Sequence, residues 1–247
     1  MKKSVLPLVF VALVPLLSWA DDALTVGALA SFGSSKYAID DKVSAVPLFL
    51  YDNDRFYIEG TEMGTYPLKN DTHWVRVGVS YDGTNFDPND AKQPALRGLD
   101  KRKSSVNAHA SYMRITPIGG FEAKATTDIL DKSGGQTLSL AHRSRFKLND
   151  NKLTIYPKFG LKWHSNDYND YYYSVSNQES TRTGVSQYTA KSSISPFVSV
   201  SARYQLFDKV GLFANQQVEW LSSTQKNSPL TDDTIDTITN VGITYGF

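Results

Sequence analysis

The stretch Leu153-Thr-Ile-Tyr-Pro-Lys-Phe-Gly-Leu-Lys-Trp-His164 alternates between apolar and polar side chains along its whole length. Successive side chains of a β-strand point to opposite faces, so this period of two predicts a strand with one apolar and one polar face. A tilted strand needs about 9–11 residues to cross a bilayer, whereas soluble strands cluster near about 5–6. The length of this segment therefore favours a strand that spans a membrane.

The same alternation recurs along the chain and predicts an all-β protein. A soluble sandwich and a transmembrane barrel share this pattern, because either can cover an apolar face. The polar faces here carry full charges in mid-strand, which favours an antiparallel transmembrane β-barrel whose polar faces line the lumen. These charges are Arg76, Glu122, Lys124, Asp128, Lys158, Lys162, Arg203 and Glu219.

The connections between the predicted strands alternate between short and long. Segments 116–120, 147–152 and 205–209 are tight, whereas 82–105, 165–193 and 222–236 are long and polar. Outer-membrane barrels have short periplasmic turns and longer extracellular loops. The alternation therefore predicts an inserted barrel in the outer membrane of a Gram-negative bacterium.

The predicted number of strands is twelve. Eleven segments can be marked, starting near Leu24, Ser44, Phe56, Trp74, Val106, Phe121, Gln136, Leu153, Ile194, Val210 and Thr237. A barrel with both termini in the periplasm needs an even number, so region 45–67 is one strand short. Gly60 and Gly64 mark a bend or a hidden turn there. Ten strands is the alternative, if the segment near Leu24 does not span.

The N-terminus predicts export. Lys2 and Lys3 precede a short apolar run, and Ser18-Trp19-Ala20 has the small residues that signal peptidase reads. We expect a signal peptide at 1–20 and a single barrel domain at 21–247. Removing the two lysines leaves 24 basic against 25 acidic residues, which gives no support for nucleic-acid binding. The chain has no cysteine and four scattered histidines, so we expect no disulfide, metal site or cofactor.

Three stretches resemble the MipA/OmpV (MltA-interacting protein) family. The first contains Leu99, Asp100 and Arg102. The second contains Tyr171, Tyr172, Val175, Glu179, Arg182, Gly184 and Tyr188, and the third is Ser228-Pro229 in the last long loop. Ser174 stands where family members typically have glycine, and a positive φ there would strain a serine.

The resemblance implies an interaction protein, one that joins a lytic transglycosylase to a peptidoglycan synthase. We expect the tyrosine-rich loop 165–193 either to fold over the barrel mouth or to bind a partner directly, with Glu179 and Arg182 paired to brace it. Outer-membrane lipid and lipopolysaccharide are further expected partners, the latter through Lys101-Arg102-Lys103.

Two alternative functions follow from the residues. The charged polar faces fit a narrow diffusion channel, although their mixed signs favour pairing across the lumen over ion selectivity. His142 and Ser144 share one strand face, as a hydrolase pair would, but no orienting third group accompanies them. We therefore expect no enzyme activity, with a lipid-modifying enzyme as the third reading.

Overall fold

The structure, a computed structural model, describes residues 24–41 and 43–247. The expected signal peptide lies outside the described residues. Within them the structure has thirteen strands: β1 (Thr25–Phe32), β2 (Ser44–Asp52), β3 (Phe56–Glu59), β4 (Glu62–Lys69), β5 (His73–Asp82), β6 (Ser105–Thr116), β7 (Gly119–Asp128), β8 (Gln136–Arg143), β9 (Phe146–Leu148), β10 (Leu153–His164), β11 (Ser193–Gln205), β12 (Val210–Trp220) and β13 (Ile235–Gly246).

The strands close into an antiparallel barrel with twelve positions in its wall. β1 pairs with both β2 and β13, and β10 pairs with β11, which completes the ring. β9 continues β8 in the same register, because Arg143 lies opposite Lys158 and Phe146 opposite Ile155. The prediction of a twelve-stranded barrel is confirmed, and the pairing of β1 on both sides excludes the ten-stranded alternative.

The strand missing from the sequence pattern is β4. It follows β3 through a two-residue turn at Gly60, whose φ of 65° suits glycine. Gly64, the other suspected turn residue, lies inside β4 instead, directly opposite Gly78. A Cβ at Gly64 would stand 2.2 Å from the Val77 carbonyl oxygen, so the absence of a side chain lets these two strands approach.

The two faces of the wall have the predicted polarity. Large apolar side chains on the outer face are exposed, among them Leu140, Phe159, Leu161 and Ile243. Polar side chains on the inner face are buried, among them Arg76, His109 and Glu122. A burial pattern of this kind is inverted relative to a soluble protein and fits a wall that faces lipid.

Aromatic residues near the strand ends of an outer-membrane barrel are expected to face outward at the membrane interfaces, and Trp74 is an exception. Tyr81, Tyr112 and Trp220 point outward as this rule predicts. Trp74, however, packs against Tyr66 with its ring centroid 5.9 Å away. Its neighbours Val75 and Val77 occupy the outer face of β5, so Trp74 lies on the inner face.

The two ends of the barrel differ. One end has short turns at 53–55, 70–72, 117–118, 149–152 and 206–209, and the other has the long connections together with the short turn at 60–61. We assign the turn end to the periplasm. The long connections contain the helices α1 (Asn166–Tyr173), α2 (Asn177–Thr183) and α3 (Ser223–Lys226), with two 3₁₀ helices at Pro88–Asp90 and Pro94–Gly98.

Four loops pack together over the outer mouth of the barrel, and we call them the cap: residues 33–41, 83–104, 165–192 and 221–234. The cap has its own hydrophobic core, which contains Tyr37, Phe86, Leu96, Tyr172 and Leu230. The first and last of the four loops meet at a β-bridge between Tyr37 and Thr231. Among the described residues no helix combines the length and the apolar character needed to cross a membrane.

Candidate functional site

The first family stretch anchors the 83–104 loop to helix α2. Leu99 is buried in the cap core. The Asp100 backbone N–H donates to Glu179 Oε1 at 3.0 Å, and the Asp100 carboxylate accepts from Arg182 Nη2 at 2.8 Å. Arg102 Nη2 donates to Glu179 Oε1 at 2.8 Å and to the Ser174 carbonyl at 2.9 Å. These contacts connect segments about eighty residues apart in sequence.

Glu179 is the centre of this arrangement. Its carboxylate accepts from the Ser176 backbone N–H at 2.9 Å, and Ser176 Oγ in turn accepts from the Glu179 N–H, which forms a capping box at the start of α2. Burial alone would raise the pKa of the Glu179 carboxyl. The backbone N–H groups of Ser176 and Asp100, together with the Arg102 guanidinium, outweigh it and hold that pKa below its usual range.

The expected pairing of Glu179 with Arg182 is wrong. The capping box turns Glu179 back toward the N-terminus of α2, where Arg102 reaches it. Arg182 lies near the C-terminus of the helix and pairs with Asp100 instead. The two acidic and two basic groups therefore form two ion pairs between loops, and neither pair lies within α2.

The tyrosines of the second stretch contribute to the cap core. Tyr172 is completely buried and its hydroxyl donates to the Lys103 carbonyl at 3.2 Å, while the Tyr171 hydroxyl accepts from the Lys103 N–H at 2.9 Å. Val175 forms a β-bridge with Tyr188, whose hydroxyl donates to the Thr224 carbonyl at 2.8 Å. The burial of Tyr172 and the partial burial of Tyr171 and Tyr188 favour the interpretation in which the loop folds over the mouth.

The remaining family residues end and join cap segments. Gly184 follows α2 with a φ of 74°, a left-handed conformation common at the end of a helix. Ser228 Oγ donates to the Tyr173 carbonyl at 2.6 Å, and Pro229 lies half-buried beside it. All twelve residues singled out in the sequence therefore lie in the cap.

Ser174 is not strained. Its φ is −79° and its ψ 153°, which any residue adopts. Its hydroxyl donates to Asp170 Oδ1 at 2.7 Å and accepts from the Ala190 N–H at 2.8 Å. A glycine would lack both bonds, so serine at this position strengthens the loop rather than distorting it.

The basic run at 101–103 is not a free positive patch. Lys101 pairs with Asp87 at 2.6 Å, and Arg102 is buried against Glu179. Only Lys103 has an exposed cationic group without a recorded carboxylate partner among the described residues. Binding of lipopolysaccharide through this run stays a prediction. Of the three charges in the run, only that of Lys103 is available for it.

The sequence analysis does not predict a network of buried amide side chains that lies in the cap. Gln225 is fully buried, accepts from Ser195 Oγ at 2.8 Å and donates to Asn169 Oδ1 at 3.1 Å. Asn169 then donates to the Lys191 carbonyl at 2.6 Å. Ser222 and Gln225 form a capping box at α3. The Ser-x-x-Gln spacing is a readable signal for that helix start.

The lumen is bridged by ion pairs. Arg143 on β8 reaches Glu59 on β3 at 3.2 Å, although five steps around the twelve-position wall separate these strands. Glu59 also pairs with Arg76 at 3.1 Å, and Glu122 pairs with Lys158 at 2.7 Å. Glu62 accepts from Lys124 on β7. Most of the mid-strand charges of mixed sign therefore pair inside the barrel, as expected.

A second set of ion pairs lies nearer the cap. Glu219 on β12 accepts from Lys162 on β10 at 2.5 Å and stands 3.5 Å from His164. Lys36 in the first cap loop pairs with Asp236 at the start of β13, at 3.1 Å. Polar groups therefore fill the inside of the barrel at two levels beneath the cap.

One part of the inner wall is apolar. Leu29, Leu48 and Leu50 are buried together on β1 and β2, and Phe213 of β12 packs against them. Apolar side chains here face the charged wall described above. The lumen is thus filled from one side by ion pairs and from the other by a small hydrophobic cluster.

His142 and Ser144 contact the same backbone carbonyl oxygen. His142 lies on the outer face at the turn end, between the rings of Phe121 and Phe159. Both His142 Nε2 and Ser144 Oγ contact the Ile118 carbonyl oxygen, at 3.0 and 3.3 Å. Within the described residues no group of three or more histidine or acidic side chains is placed to hold a metal ion.

Comparison with known proteins identifies the family. A family model described as MltA-interacting protein MipA matches residues 26–247. The MltA-interacting protein of Escherichia coli (strain K12) is 31% identical over 208 residues, 84% of this chain and 83% of that protein. YiaT of the same strain is 31% identical over 212 residues, 85% of each chain.

More distant relatives and structures extend the comparison. The outer membrane protein OmpV of Vibrio cholerae is 23% identical over 221 residues, 89% of this chain and 85% of that protein. A solved outer membrane channel from Pseudomonas putida F1 overlaps with a TM-score of 0.45 at 9% identity, covering 93% of this chain and 97% of that one. The match along residues 26–247 covers the cap and all of the barrel except Thr25, and it leads to one conclusion: the chain belongs to the MltA-interacting protein (MipA) family of outer-membrane barrels.

Proposed function

We propose that this protein is a non-enzymatic scaffold in the outer membrane that binds peptidoglycan-remodelling enzymes. The observation that carries the proposal is the bridged lumen, in which Arg143 meets Glu59 across the bore beneath a packed cap. A bore filled in this way favours a role for the protein's surfaces over a role as a conduit.

The family relationship suggests the class of partner. The Escherichia coli relative is named for an interaction with MltA, and we propose a lytic transglycosylase of this kind as the partner of this chain. The peptidoglycan synthase is proposed as a second partner on the family resemblance. Such enzymes act on the cell wall, so the binding surface belongs at the periplasmic end.

The chemistry of the described residues supports binding over catalysis. A hydrolase needs a nucleophile in reach of a base that a third group orients. His142 and Ser144 instead share one carbonyl oxygen, and aromatic rings flank the imidazole. Arg143 pairs with Glu59 and Lys158 with Glu122 in the lumen, as expected of a structural filling.

A co-purification experiment tests the scaffold. The full chain, folded in detergent, is immobilised and offered the MltA-type lytic transglycosylase of the same bacterium, then the peptidoglycan synthase. We expect the transglycosylase to be retained, and the synthase to be retained at least tenfold better when the transglycosylase is present. An unrelated outer-membrane barrel of similar size is the control. Equal retention on both barrels would contradict the proposal.

A further inference from the structure

The turn end of β9 to β12 carries a concentration of unpaired positive charge. Segments 144–153 and 203–210 together contain two carboxylates, Asp150 and Asp208, and five cationic side chains. We call the five the basic rim: Arg145, Lys147, Lys152, Arg203 and Lys209. All five are exposed, and none is in an ion pair among the described residues.

The basic rim contrasts with the interior. Arg76, Lys124, Arg143, Lys158 and Lys162 each have a carboxylate partner inside the barrel. An uncompensated group of cations raises the local positive potential and attracts acidic surfaces before contact. The rim therefore gives the periplasmic end a group of positive charges that is available to another molecule.

The direction of the rim side chains separates them from the membrane. Lys147 and Arg203 both lie opposite Thr154 in the register, so they share one row and one face, about 10 Å apart. Phe146 and Leu148, on either side of Lys147, are exposed on the outer face. Lys147 and Arg203 thus face the periplasmic mouth of the barrel rather than the phospholipid headgroups.

Several features hold the rim in a defined shape. The Arg203 guanidinium lies over the Tyr156 ring, 5.3 Å from its centroid. In the turn between β9 and β10, Asn149, Asp150 and Asn151 all have positive φ, and the Lys152 N–H donates to the Asn149 carbonyl at 2.9 Å. Asn and Asp tolerate this conformation better than other side-chain-bearing residues, so the turn is built for a fixed geometry.

An exposed aromatic ring accompanies the charges. Phe207, in the turn between β11 and β12, is 72% exposed. It stands two residues from Lys209 in a turn that projects beyond the wall. Aromatic and arginine side chains together are enriched at protein–protein interfaces.

From these observations we infer that the basic rim is a docking surface for an acidic segment of a periplasmic protein. The inference rests on the proposed scaffold function and locates its binding surface. Charge complementarity identifies the occupant, because five cations with two anions need a partner surface rich in Asp and Glu. Because the basic rim lies at the turn end, the docking surface is at the end of the barrel opposite the cap.

Charge reversal at the rim tests the inference. The variant Lys147→Glu/Lys152→Glu/Lys209→Glu is compared with the wild type for binding to the immobilised MltA-type transglycosylase. The matched control is Lys132→Glu/Lys191→Glu/Lys226→Glu, which reverses three exposed cations at the outer end that have no ion-pair partner in the part of the chain that the structure describes. We expect the rim variant to bind at least tenfold more weakly and the control to stay within twofold of the wild type. Wild-type binding should also weaken as salt rises from low to high concentration.

The outcomes are distinguishable. Binding of the wild type with undiminished binding of the rim variant overturns the docking surface and leaves the scaffold standing. Failure of the wild type to bind overturns the scaffold itself. A loss seen only in nanodiscs containing anionic phospholipid would assign the rim to lipid and also overturn the inference. If the triple variant does not fold, as judged by heat-modifiability on a gel, Lys152→Glu and Lys209→Glu are tested singly.

Discussion

Arg143 and Glu59 belong to strands on nearly opposite sides of the barrel, yet Arg143 Nη2 and Glu59 Oε1 lie 3.2 Å apart. Because these two side chains meet inside the lumen, they limit the width of the open bore at this level. Each also has a second partner, Glu122 for Arg143 at 3.6 Å and Arg76 for Glu59 at 3.1 Å. The bridge is therefore part of a connected network, and removing one of its members will not empty the lumen.

The bridge predicts a low conductance. In planar lipid bilayers we expect the wild type to show no stable openings, whereas the double variant Glu59→Ala/Arg143→Ala should show frequent ones, since it removes both side chains that cross the bore. A matched control is Asp100→Ala/Arg182→Ala, which removes an exposed pair outside the barrel. Stable wild-type openings would instead support a diffusion channel.

The two ion pairs of the cap should differ greatly in strength. Arg102→Ala leaves the Glu179 carboxylate buried without its cation and should destabilise the cap by about 3 kcal/mol. Arg182→Ala breaks an exposed pair and should cost about 0.5 kcal/mol. Limited proteolysis of the loops in outer-membrane fractions measures the difference. Equal cleavage of the two variants would mean that the Arg102–Glu179 pair does not hold the cap.

The cap should loosen in acid. Because the folded state lowers the pKa of Glu179, the ionised carboxylate contributes stability that is fully present above its unfolded value of about 4.3. That contribution is lost as the pH falls through the lower, folded pKa. We expect protease cleavage of loops 83–104 and 165–192 to rise in that range. In Glu179→Gln the cap should be weaker at neutral pH and this rise should be smaller.

Gly184 should tolerate asparagine better than alanine. An added Cβ would meet nothing within 4 Å, so space is not the constraint, but the φ of 74° is unfavourable for an alanine. Gly184→Ala should cost the cap about 1 kcal/mol, and Gly184→Asn less, because asparagine adopts this conformation more readily. Thermal loss of protease resistance compares them. Equal behaviour would show that the C-terminus of α2 is not fixed in this conformation.

The strands were readable in the sequence where side chains alternate without interruption. Val75, Val77 and Val79 set the outer face of β5, and the same alternation places Trp74 on the inner face, away from the membrane interface. β4 was missed because its pattern is broken. Its register shifts between Thr65 and Leu68, around Tyr66 and Pro67, so no single period of two runs through it.

The cap was predictable in location but not in its contacts. The spacing Ser176-x-x-Glu179 is typical of a capping box and predicts the N-terminus of α2. The partner of Glu179, however, is Arg102, 77 residues away. Only the folding of two loops onto each other brings these residues together, and no local period encodes that approach. The mixed charges of the polar faces predict that ion pairs form in the lumen. Which residues pair with each other depends on the register between the strands of the barrel.

The bridge between Tyr37 and Thr231 has a consequence for biogenesis. These residues lie in the first and last outer loops, which adjoin β1 and β13, so we expect the bridge to form once these two strands have paired and closed the barrel. A hydrogen bond of 2.8 Å from the Ala38 N–H to the Leu230 carbonyl joins the same two loops. We therefore expect the complete cap to be present only on barrels that have closed and inserted. An antibody whose epitope spans both loops would therefore bind closed barrels on living cells and would not bind incompletely assembled ones.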